Sequence, residues 1–407
     1  MADPAPTTIA LQKIESFEEI LALIQKALEM EPAEVYQEVL KSGLQGRGGA
    51  GFPTGLKEQA TQQALCDSRG PKYVVCNADE GEPGTFKDRA IMETNPNLMV
   101  LGIFLSAYAI GAEKAYVYIR GEYGESIRRV RRSIEEFYSA GYLGRPWGSR
   151  GFHLDIEVKL GAGSYLCGEE LTLLESLEGK RGYPRIKPPY PAEYGLFGAP
   201  TLINNVETFA HVPFVVEYGA EEYRKFGTPS SPGTKIFTVS GDVEKPGYYE
   251  REMGISLRRL IEESCGGMRK GGTFAAALLG GAAGTLVDSS VLDVPMTYQD
   301  LKDAGALLGS GAVVVLDQSR SISVMLHSIL EFFRHESCGK CIPCRVGTAK
   351  LVRMSTAMAE LPPGQRADML RRMLTEAVYM DQTSLCPLGK SPLIPLRSVQ
   401  RFFADRI

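Results

Sequence analysis

The run Tyr73-Val-Val-Cys76-Asn-Ala-Asp79-Glu80-Gly-Glu82-Pro-Gly84 joins a short apolar stretch to a loop with three carboxylates and an amide. An apolar stretch of this length, bounded by turn residues, is typical of a buried β-strand. In open α/β sheets, ligands bind in loops at the carboxyl ends of the strands. Carboxylates in such a loop suit sugar or ribityl hydroxyls as hydrogen-bond acceptors, although a solvated acidic turn would have the same composition.

Helix and strand patterns alternate on the C-terminal side of this run. We predict a helix over 98–112, a strand over 114–119 and a helix over 125–141. This alternation is typical of βα units and predicts an α/β layer. The 98–112 run is strongly apolar but shorter than the roughly 20 residues that cross a bilayer. It is therefore interpreted as a buried helix, and we expect no membrane insertion.

Two later regions have a different character. From Lys235 onward, short strand patterns and one short helix suggest a compact β-grasp-like unit, which a strand at 313–316 closes. From Ser321 onward, apolar residues recur at helical spacing and predict a four-helix bundle. The predicted organisation is an N-terminal helical segment (1–40), an α/β domain (41–232), a β-grasp-like domain (233–318) and a helical bundle (319–407).

Composition narrows the functional class. The 407 residues carry a net charge of −4 with acids and bases interspersed, so no basic face indicates nucleic acid as a partner. Eight cysteines are few for a disulfide scaffold of this length, and the opening residues do not resemble a secretory signal. We therefore expect reduced thiols and a cytoplasmic location, free or on the cytoplasmic face of a membrane complex.

Cys338, Cys341 and Cys344 follow one another at C-x₂-C-x₂-C spacing, and Cys386 precedes a proline further on. One loop with this spacing can supply three thiolates to an iron–sulfur cubane, and a distant cysteine can supply the fourth. A structural zinc site is the alternative, although it more often uses two C-x₂₋₄-C pairs. We predict a [4Fe–4S] cluster and hence electron transfer. The remaining cysteines lack ligand spacing and are interpreted as reduced packing residues: Cys66, Cys76, Cys167 and Cys265.

A glycine-rich loop, Gly46-Arg47-Gly48-Gly49-Ala-Gly-Phe52-Pro-Thr-Gly55-Leu-Lys57, follows the second predicted helix. Exposed backbone N–H groups in such a loop can bind a phosphate, and Arg47 and Lys57 would add positive charge. A plain turn is the alternative. The loop matches neither the P-loop pattern nor a G-x-G-x-x-G that opens a helix, which argues against a simple nucleotide triphosphatase.

Three further segments combine small, aromatic and polar residues. One is Gly161-Ala-Gly-Ser-Tyr165-Leu-Cys-Gly168-Glu169-Glu170, whose paired acids could also serve a hydrolase. The next, Arg185-Ile-Lys187-Pro-Pro-Tyr190-Pro, can hold an aromatic face rigidly for a flat ring. The third, Asn204-Asn205-Val-Glu-Thr208, offers amides and a hydroxyl to the polar edge of such a ring. An electron-transfer cluster gives hydrolysis no role, so cofactor binding is the preferred interpretation.

Taken together, these motifs resemble the NADH-binding 51 kDa flavoprotein subunit of respiratory complex I, a module also found in NAD-linked hydrogenases and formate dehydrogenases. The similarity extends from about residue 41 to the C-terminus. It implies a Rossmann-like flavin domain, a β-grasp-like domain of the soluble-ligand-binding type and a helical bundle that holds [4Fe–4S]. It also implies three cofactors: FMN, NAD(H) and the cluster, with Cys338, Cys341, Cys344 and Cys386 as the metal ligands.

The resemblance assigns site residues. FMN contacts are implied for Gly46, Arg47, Gly48, Gly49, Lys57, Asn77, Asp79, Glu80, Gly168, Glu169, Asn204, Asn205 and Thr208. NADH is implied to stack near Phe52, with Glu82, Tyr165, Glu170, Lys187 and Tyr190 as further contacts. Carboxylates of Glu82 and Glu170 beside the ribose would repel a 2′-phosphate and so favour NAD over NADP. No side chain is assigned as a catalytic acid, because FMN carries the hydride chemistry.

One segment departs from the family. After Lys57 the family continues with tryptophan and further aromatic residues, whereas this chain has Glu58-Gln-Ala60. The change implies a loss of apolar packing on the adenine side. It leaves two hypotheses open: an NADH dehydrogenase subunit, or a flavin–cluster relay without its own nucleotide chemistry. In either case the expected partners are a thioredoxin-fold [2Fe–2S] subunit (24 kDa-like) and further iron–sulfur subunits of a larger complex.

Overall fold

The computed structural model describes residues 8–14, 16–64, 71–147 and 151–407. Its N-terminal half is built on a four-stranded parallel sheet with the order β3-β2-β1-β4. The strands are β1 (Tyr73–Ala78), β2 (Lys114–Arg120), β3 (Asp155–Gly161) and β4 (Thr201–Asn205). The strands predicted at 73–76 and 114–119 are therefore present. Strands β3 and β4 were not predicted from the sequence.

Helices cover this sheet and carry most of its hydrophobic core. Their bounds are α1 (Phe17–Glu29), α2 (Pro32–Ser42), α3 (Thr54–Gln63), α4 (Lys87–Thr94), α5 (Pro96–Ile110), α6 (Gly124–Ser139), α7 (Glu170–Leu177), α8 (Val206–Tyr218) and α9 (Ala220–Tyr223). Because α1 and α2 bury Ile20, Ile24 and Val35 in the same core, residues 1–40 are not a separate unit. The predicted boundary at residue 40 falls inside α2.

Helix α5 is the central helix of this half. Every residue from Leu98 to Ile110 is buried, as the apolar run predicted. Gly102 allows α5 to approach α8 closely, since a Cβ there would lie 1.9 Å from the carbonyl oxygen of Phe209. Among the helices that the structure describes, none is both long and apolar enough to cross a membrane.

The strand order creates a crevice at one edge of the sheet. Strand β1 lies between β2 and β4, so the chain leaves it toward β2 on one side and reaches β4 on the other. Ligands bind at the carboxyl ends of strands where the order reverses in this way. In the register of β1 and β4, Asn77 is the partner of Asn205 and Cys76 is the partner of Asn204. The amide side chains of three separate motif positions therefore meet at this edge.

A second, mixed sheet follows, with the order β10-β9-β11-β7-β8. After a small hairpin of β5 (Gly227–Thr228) and β6 (Ser231–Pro232), its strands are β7 (Thr234–Gly241), β8 (Gly247–Glu252), β9 (Phe274–Leu279), β10 (Thr285–Val287) and β11 (Ala312–Asp317), with the short helices α10 (Leu257–Arg259) and α11 (Tyr298–Asp303). It has its own core, which includes Phe237, Val239 and Val315. The predicted strands at its start and end are present, whereas β9 and β10 were not predicted.

The C-terminal region is helical, as the spacing of apolar residues predicted. Its helices are α12 (Ile322–Glu336), α13 (Ile342–Glu360), α14 (Pro363–Thr383), α15 (Pro387–Lys390) and α16 (Leu393–Phe403). Leu326, Phe333, Leu351 and Met373 meet in its core. The loop between α12 and α13 carries the cysteine triplet, and Cys386 immediately precedes α15.

Candidate cofactor site and cysteine cluster

A cavity of about 690 Å³ opens at the carboxyl ends of β1 and β4. This volume lies within the range of small-molecule and cofactor sites. Its wall combines the glycine-rich loop, the two strand ends, the start of α7 and the proline-rich segment. The residues on the wall that the sequence had singled out are Gly46, Gly48, Gly49, Phe52, Lys57, Asn77, Gly168, Glu169, Glu170, Lys187, Tyr190, Asn204, Asn205 and Thr208.

The glycine-rich loop is held tightly against the end of β4. The N–H of Gly46 donates to the carbonyl of Phe52 at 2.8 Å, and the N–H of Arg47 donates to the Thr208 hydroxyl at 2.9 Å. A Cβ at Gly48 would lie 3.2 Å from Cβ of Asn205. Glycine therefore permits the backbone to pass close to β4 and to form one wall of the cavity.

The three asparagines at the strand ends have different surroundings. Asn77 donates to the carbonyl of Gly168 at 2.8 Å, and Asn205 is engaged with Lys87 and Asp88 at 2.9 Å and 2.6 Å. Asn204 is buried, and its Nδ2 has no hydrogen-bond partner. A buried donor without a partner is costly, and a ligand in the cavity would satisfy it. The glycine wall and this free amide fit a flat ring with carbonyl oxygens and a phosphate tail, as in FMN.

A charged cluster lies at the cavity wall. Nζ of Lys187 is 2.9 Å from Glu169 and 2.6 Å from Glu170, and Nζ of Lys57 is 3.6 Å from Glu170. Burial acts to raise the pKa of Glu170, but the two ammonium groups outweigh it and hold that pKa below its ordinary value. Glu170 is therefore a carboxylate at neutral pH.

Two aromatic side chains on the wall are exposed. Phe52 and Tyr190 expose 51% and 55% of their surface. Large apolar faces are usually covered in a soluble protein, and the cavity wall gives them a place to stack on a planar group.

Some predicted site side chains do not reach the cavity wall. Arg47 is fully buried and donates to the hydroxyl of Tyr223 and the carbonyl of Pro232, at 3.1 Å and 2.8 Å. Its guanidinium therefore adds no charge to the wall, and only its backbone contributes to the loop. Glu80 accepts from the backbone N–H groups of Asp88 and Arg89, because the start of α4 needs acceptors for its free N–H groups.

Asp79, Glu82 and Tyr165 are also absent from the wall. Glu82 accepts from the Tyr165 hydroxyl at 2.6 Å and from the backbone N–H of Ala283 at 3.0 Å, so it joins the two sheet regions. Burial raises the pKa of Asp79 to about 7, and the nearby Arg120 opposes this shift. The part of these three side chains in ligand contact stays a prediction.

The departure from the family pattern has two separate structural consequences. Ala60 lies on the cavity wall, where a small side chain leaves room. Glu58 does not face the cavity: it is buried against α5 and accepts a hydrogen bond from Ser106 Oγ at 2.8 Å. Burial raises the pKa of Glu58 to about 8, although the Ser106 hydrogen bond lowers it. The loss of apolar packing at the nucleotide therefore concerns Ala60 and not Glu58.

The four cysteines of the predicted cluster converge. Burial raises the pKa of the Cys344 thiol to about 11, and Cys341, Cys386 and Cys338 act on it in the same direction. A single zinc ion, with Zn–S bonds of about 2.3 Å, requires a compact set of ligands. Within the described ranges, no group of three or more histidine, cysteine or acidic side chains is arranged to hold one metal ion. Cys76, Cys167 and Cys265 are buried and free, and Cys66 lies outside the described residues.

The cluster region and the cavity share a wall. Pro387, the residue after Cys386, lines the cavity together with Gly168 and Glu169. Glu169 is close enough to act on the Cys386 thiol, whose pKa is raised by burial first. The Cys-Pro pair is visible in the sequence, but no cavity role was predicted for the proline, because nothing in its local pattern places it near a loop more than 200 residues away.

A parallel sheet with a cavity at its switch point and four convergent cysteines beside that cavity defines a cofactor-binding electron-transfer protein. Comparison with known proteins makes the class specific. Residues 39–214 match the Nuo51 FMN-binding domain, residues 236–282 match the SLBB domain, and residues 324–407 match the NADH-ubiquinone oxidoreductase-F iron-sulfur binding region.

Several curated proteins match over most of their length. An F-type subunit of the NADH-quinone oxidoreductase of Rhizobium meliloti is 47% identical over 93% of this chain and 89% of its own length. The corresponding protein of Aquifex aeolicus is 50% identical over 80% of this chain and 74% of its own length. The chain belongs to this family, the F-type subunits of NADH-quinone oxidoreductase, and it binds FMN and [4Fe–4S]. The iron–sulfur assignment overrides the zinc alternative.

A solved structure matches the fold as well. It is that of a NAD⁺-reducing [NiFe]-hydrogenase in the H₂-reduced state, with a TM-score of 0.83 and 36% sequence identity. The match covers 99% of this chain and 64% of the hydrogenase chain, so the present chain spans less than two thirds of that protein.

Proposed function

We propose that this chain is the NADH-oxidising, or NAD⁺-reducing, flavoprotein subunit of a multi-subunit oxidoreductase. The observation that carries the proposal is the position of Pro387, which follows a cluster cysteine and lines the cavity of the glycine-rich loop. An electron leaving a flavin in this cavity has a short path to the cysteines.

The described residues fit FMN in the cavity. When bound, FMN exchanges a hydride with NAD(H) and releases electrons singly. Backbone N–H groups of Gly48 and Gly49 and the ammonium of Lys57 suit its phosphate, and the free Nδ2 of Asn204 suits an oxygen or nitrogen of the ring. The roles of these residues as individual contacts are part of the proposal.

The nicotinamide nucleotide is assigned to the outer part of the cavity. Phe52 and Tyr190 present aromatic faces there, and Lys187 and Glu170 form the charged part of the same wall. These groups bind and orient the nucleotide, and no side chain is required as an acid or base. The carboxylate of Glu170 would repel a 2′-phosphate, which favours NADH over NADPH.

The partner is assigned to the exposed side of the cluster. Ile342 and Val346, on the first turns of α13, expose 65% and 50% of their surface directly beside Cys341 and Cys344. Exposed Lys340 and Arg345 flank them. We assign this surface, defined by Ile342 and Val346, to an electron-accepting iron–sulfur subunit with an acidic docking face. A thioredoxin-fold [2Fe–2S] subunit is a second proposed partner, and the cytoplasm the proposed location.

A flavin–cluster relay without nucleotide chemistry is the second candidate, and Ala60 on the cavity wall favours it. Anaerobic addition of NADH to the FMN-loaded protein separates the two. We expect bleaching of the flavin absorbance and appearance of the reduced-cluster EPR signal. A flavin that stays oxidised in NADH but is reduced by dithionite would reject the dehydrogenase and support the relay.

The variant Cys386→Ser provides the matched control for the cluster. Loss of one thiolate ligand should abolish the cluster signal, while NADH still bleaches bound FMN. This result would show that hydride exchange and single-electron transfer use separate parts of the chain.

A further inference from the structure

Glu336 forms a contact between the cluster region and the flavin side of the molecule. It is the last residue of α12, two positions before Cys338, and its Oε2 accepts from the backbone N–H of Tyr165 at 3.0 Å. The two residues are 171 positions apart in the chain. A hydrogen bond to a charged acceptor contributes more than a neutral one, so this contact joins two distant segments with a defined geometry.

A second contact lies on the same face of α12. The rings of Phe332 and Tyr165 meet edge to face with centroids 4.9 Å apart. Phe332 and Glu336 are four positions apart and therefore neighbours on the helix surface. Tyr165 is thus fixed at its backbone by Glu336 and at its ring by Phe332.

Tyr165 begins the 3-10 turn Tyr165–Gly168, which leads to the cavity. Gly168 at its end lines the cavity, and its carbonyl accepts from Asn77 at the end of β1. The hydroxyl of Tyr165 donates to Glu82 on the loop after β1. The turn is therefore held to the strand end on one side and to the last turn of α12 on the other.

We propose that Glu336 is a positioning residue that fixes the first cysteine of the cluster loop relative to the flavin cavity. The proposal rests on the proposed function, because it concerns the one-electron step from reduced flavin to oxidised cluster. Glu336 touches neither cofactor in this assignment. It acts through Tyr165 and through the start of the loop that carries Cys338, and it sets the distance across which the electron moves.

The test compares Glu336→Met with Glu336→Gln in the FMN- and cluster-loaded protein. Methionine keeps the length of the side chain but has no oxygen acceptor, whereas glutamine keeps an oxygen that can accept from the Tyr165 N–H. After rapid mixing with NADH, flavin bleaching and the reduced-cluster EPR signal are followed separately. Glu331→Ala, which removes an exposed ion pair with Arg334 on the same helix, is the control.

In Glu336→Met we expect cluster reduction to slow by about tenfold, since misplacement of a reacting group by 1 Å can cost roughly 10²-fold. Flavin bleaching, FMN content, and iron and sulfide content should stay at the wild-type level. Glu336→Gln and Glu331→Ala should reduce their clusters at the wild-type rate. If Glu336→Met fails to assemble the cluster, Glu336→Ala takes its place.

Two results would overturn the proposal: cluster reduction at the wild-type rate in the methionine and alanine variants, or equally slow reduction in the glutamine variant. Failure of the proposed function looks different, because NADH would then fail to bleach the wild-type flavin. In that case, reduction of the flavin by light and EDTA replaces NADH, and the comparison of cluster reduction between the variants stands.

Discussion

Nζ of Lys187 lies 2.6 Å from Oε1 of Glu170 on the wall of the flavin cavity. The ammonium groups of Lys187 and Lys57 keep the pKa of Glu170 low despite its burial, so the wall presents a carboxylate. Glu170→Gln removes this charge. We expect the ratio of kcat/KM for NADPH to that for NADH to rise about tenfold, the effect of roughly 1.4 kcal/mol of lost repulsion.

Steady-state rates with ferricyanide as acceptor measure this ratio. Glu175→Gln is the matched control, since Glu175 lies on the same helix but pairs with Arg185 outside the cavity. An unchanged ratio in Glu170→Gln would mean that the 2′-position does not approach this carboxylate.

The unpartnered amide of Asn204 predicts a difference between the apo and loaded states. Leucine is close to asparagine in shape but has no polar atoms, so Asn204→Leu should leave the apo protein as stable as the wild type or more stable. FMN affinity should fall about tenfold, as expected for loss of about 1.4 kcal/mol of hydrogen bonding. Fluorescence titration with FMN measures the affinity, and thermal unfolding measures the stability. Wild-type affinity in this variant would contradict the assignment of Asn204 to the flavin.

Glu58 predicts a pH dependence of stability. Its pKa in the folded protein is about 8, above the ordinary value of about 4.3. Between these two pH values the folded protein binds one proton more than the unfolded chain, so the free energy of unfolding falls as pH rises, by at most about 1.4 kcal/mol per pH unit. This destabilisation is absent below about pH 4.3 and complete above about pH 8.

Glu58→Gln removes the titration while keeping the shape of the protonated carboxyl. The urea midpoint of the variant should exceed that of the wild type by a margin that grows from pH 5 to pH 8. Parallel curves for the two proteins over this range would show that Glu58 does not titrate there.

The exposed residues beside the cluster predict an effect on electron exit alone. Ile342→Glu should weaken the transfer of electrons to the iron–sulfur partner, because a charge replaces an apolar contact next to an acidic docking face. NADH should bleach the flavin and reduce the cluster of the variant at the wild-type rate. Val324→Glu, at the opposite end of α12 and exposed by 65%, should affect neither step. Equal loss in both variants would contradict this docking surface.

Local sequence predicted those elements whose pattern is strong by itself. The apolar run of α5 and the βα alternation after β1 gave the α/β layer, and helical spacing after Ser321 gave the helical C-terminal region. Strand β3, in contrast, has charged residues at alternate positions and an exposed face, so its pattern is weak. Strand β4 is short and ends in the two asparagines that were interpreted only as ligand groups.

The positions of individual side chains show the same division. A glycine-rich loop or a C-x₂-C-x₂-C triplet carries its chemistry in local spacing, so the sequence alone was sufficient to expect a phosphate-binding backbone and a cluster. Arg47 and Glu80 lie inside such motifs, yet burial and the free N–H groups at the start of α4 direct their side chains away from the cavity. No local pattern contains that information, because the partner groups come from distant segments.

The sequence by itself determined which chemical groups this protein possesses: thiolates at cluster spacing, glycines that expose backbone N–H groups, and amides and carboxylates after strands. Only the tertiary structure decided which of them face one cavity and that Pro387 brings the cluster region to its wall. The physical reason is that spacing along the chain fixes contacts over a few residues, whereas the approach of Glu336 to Tyr165 depends on the packing of complete helices and sheets.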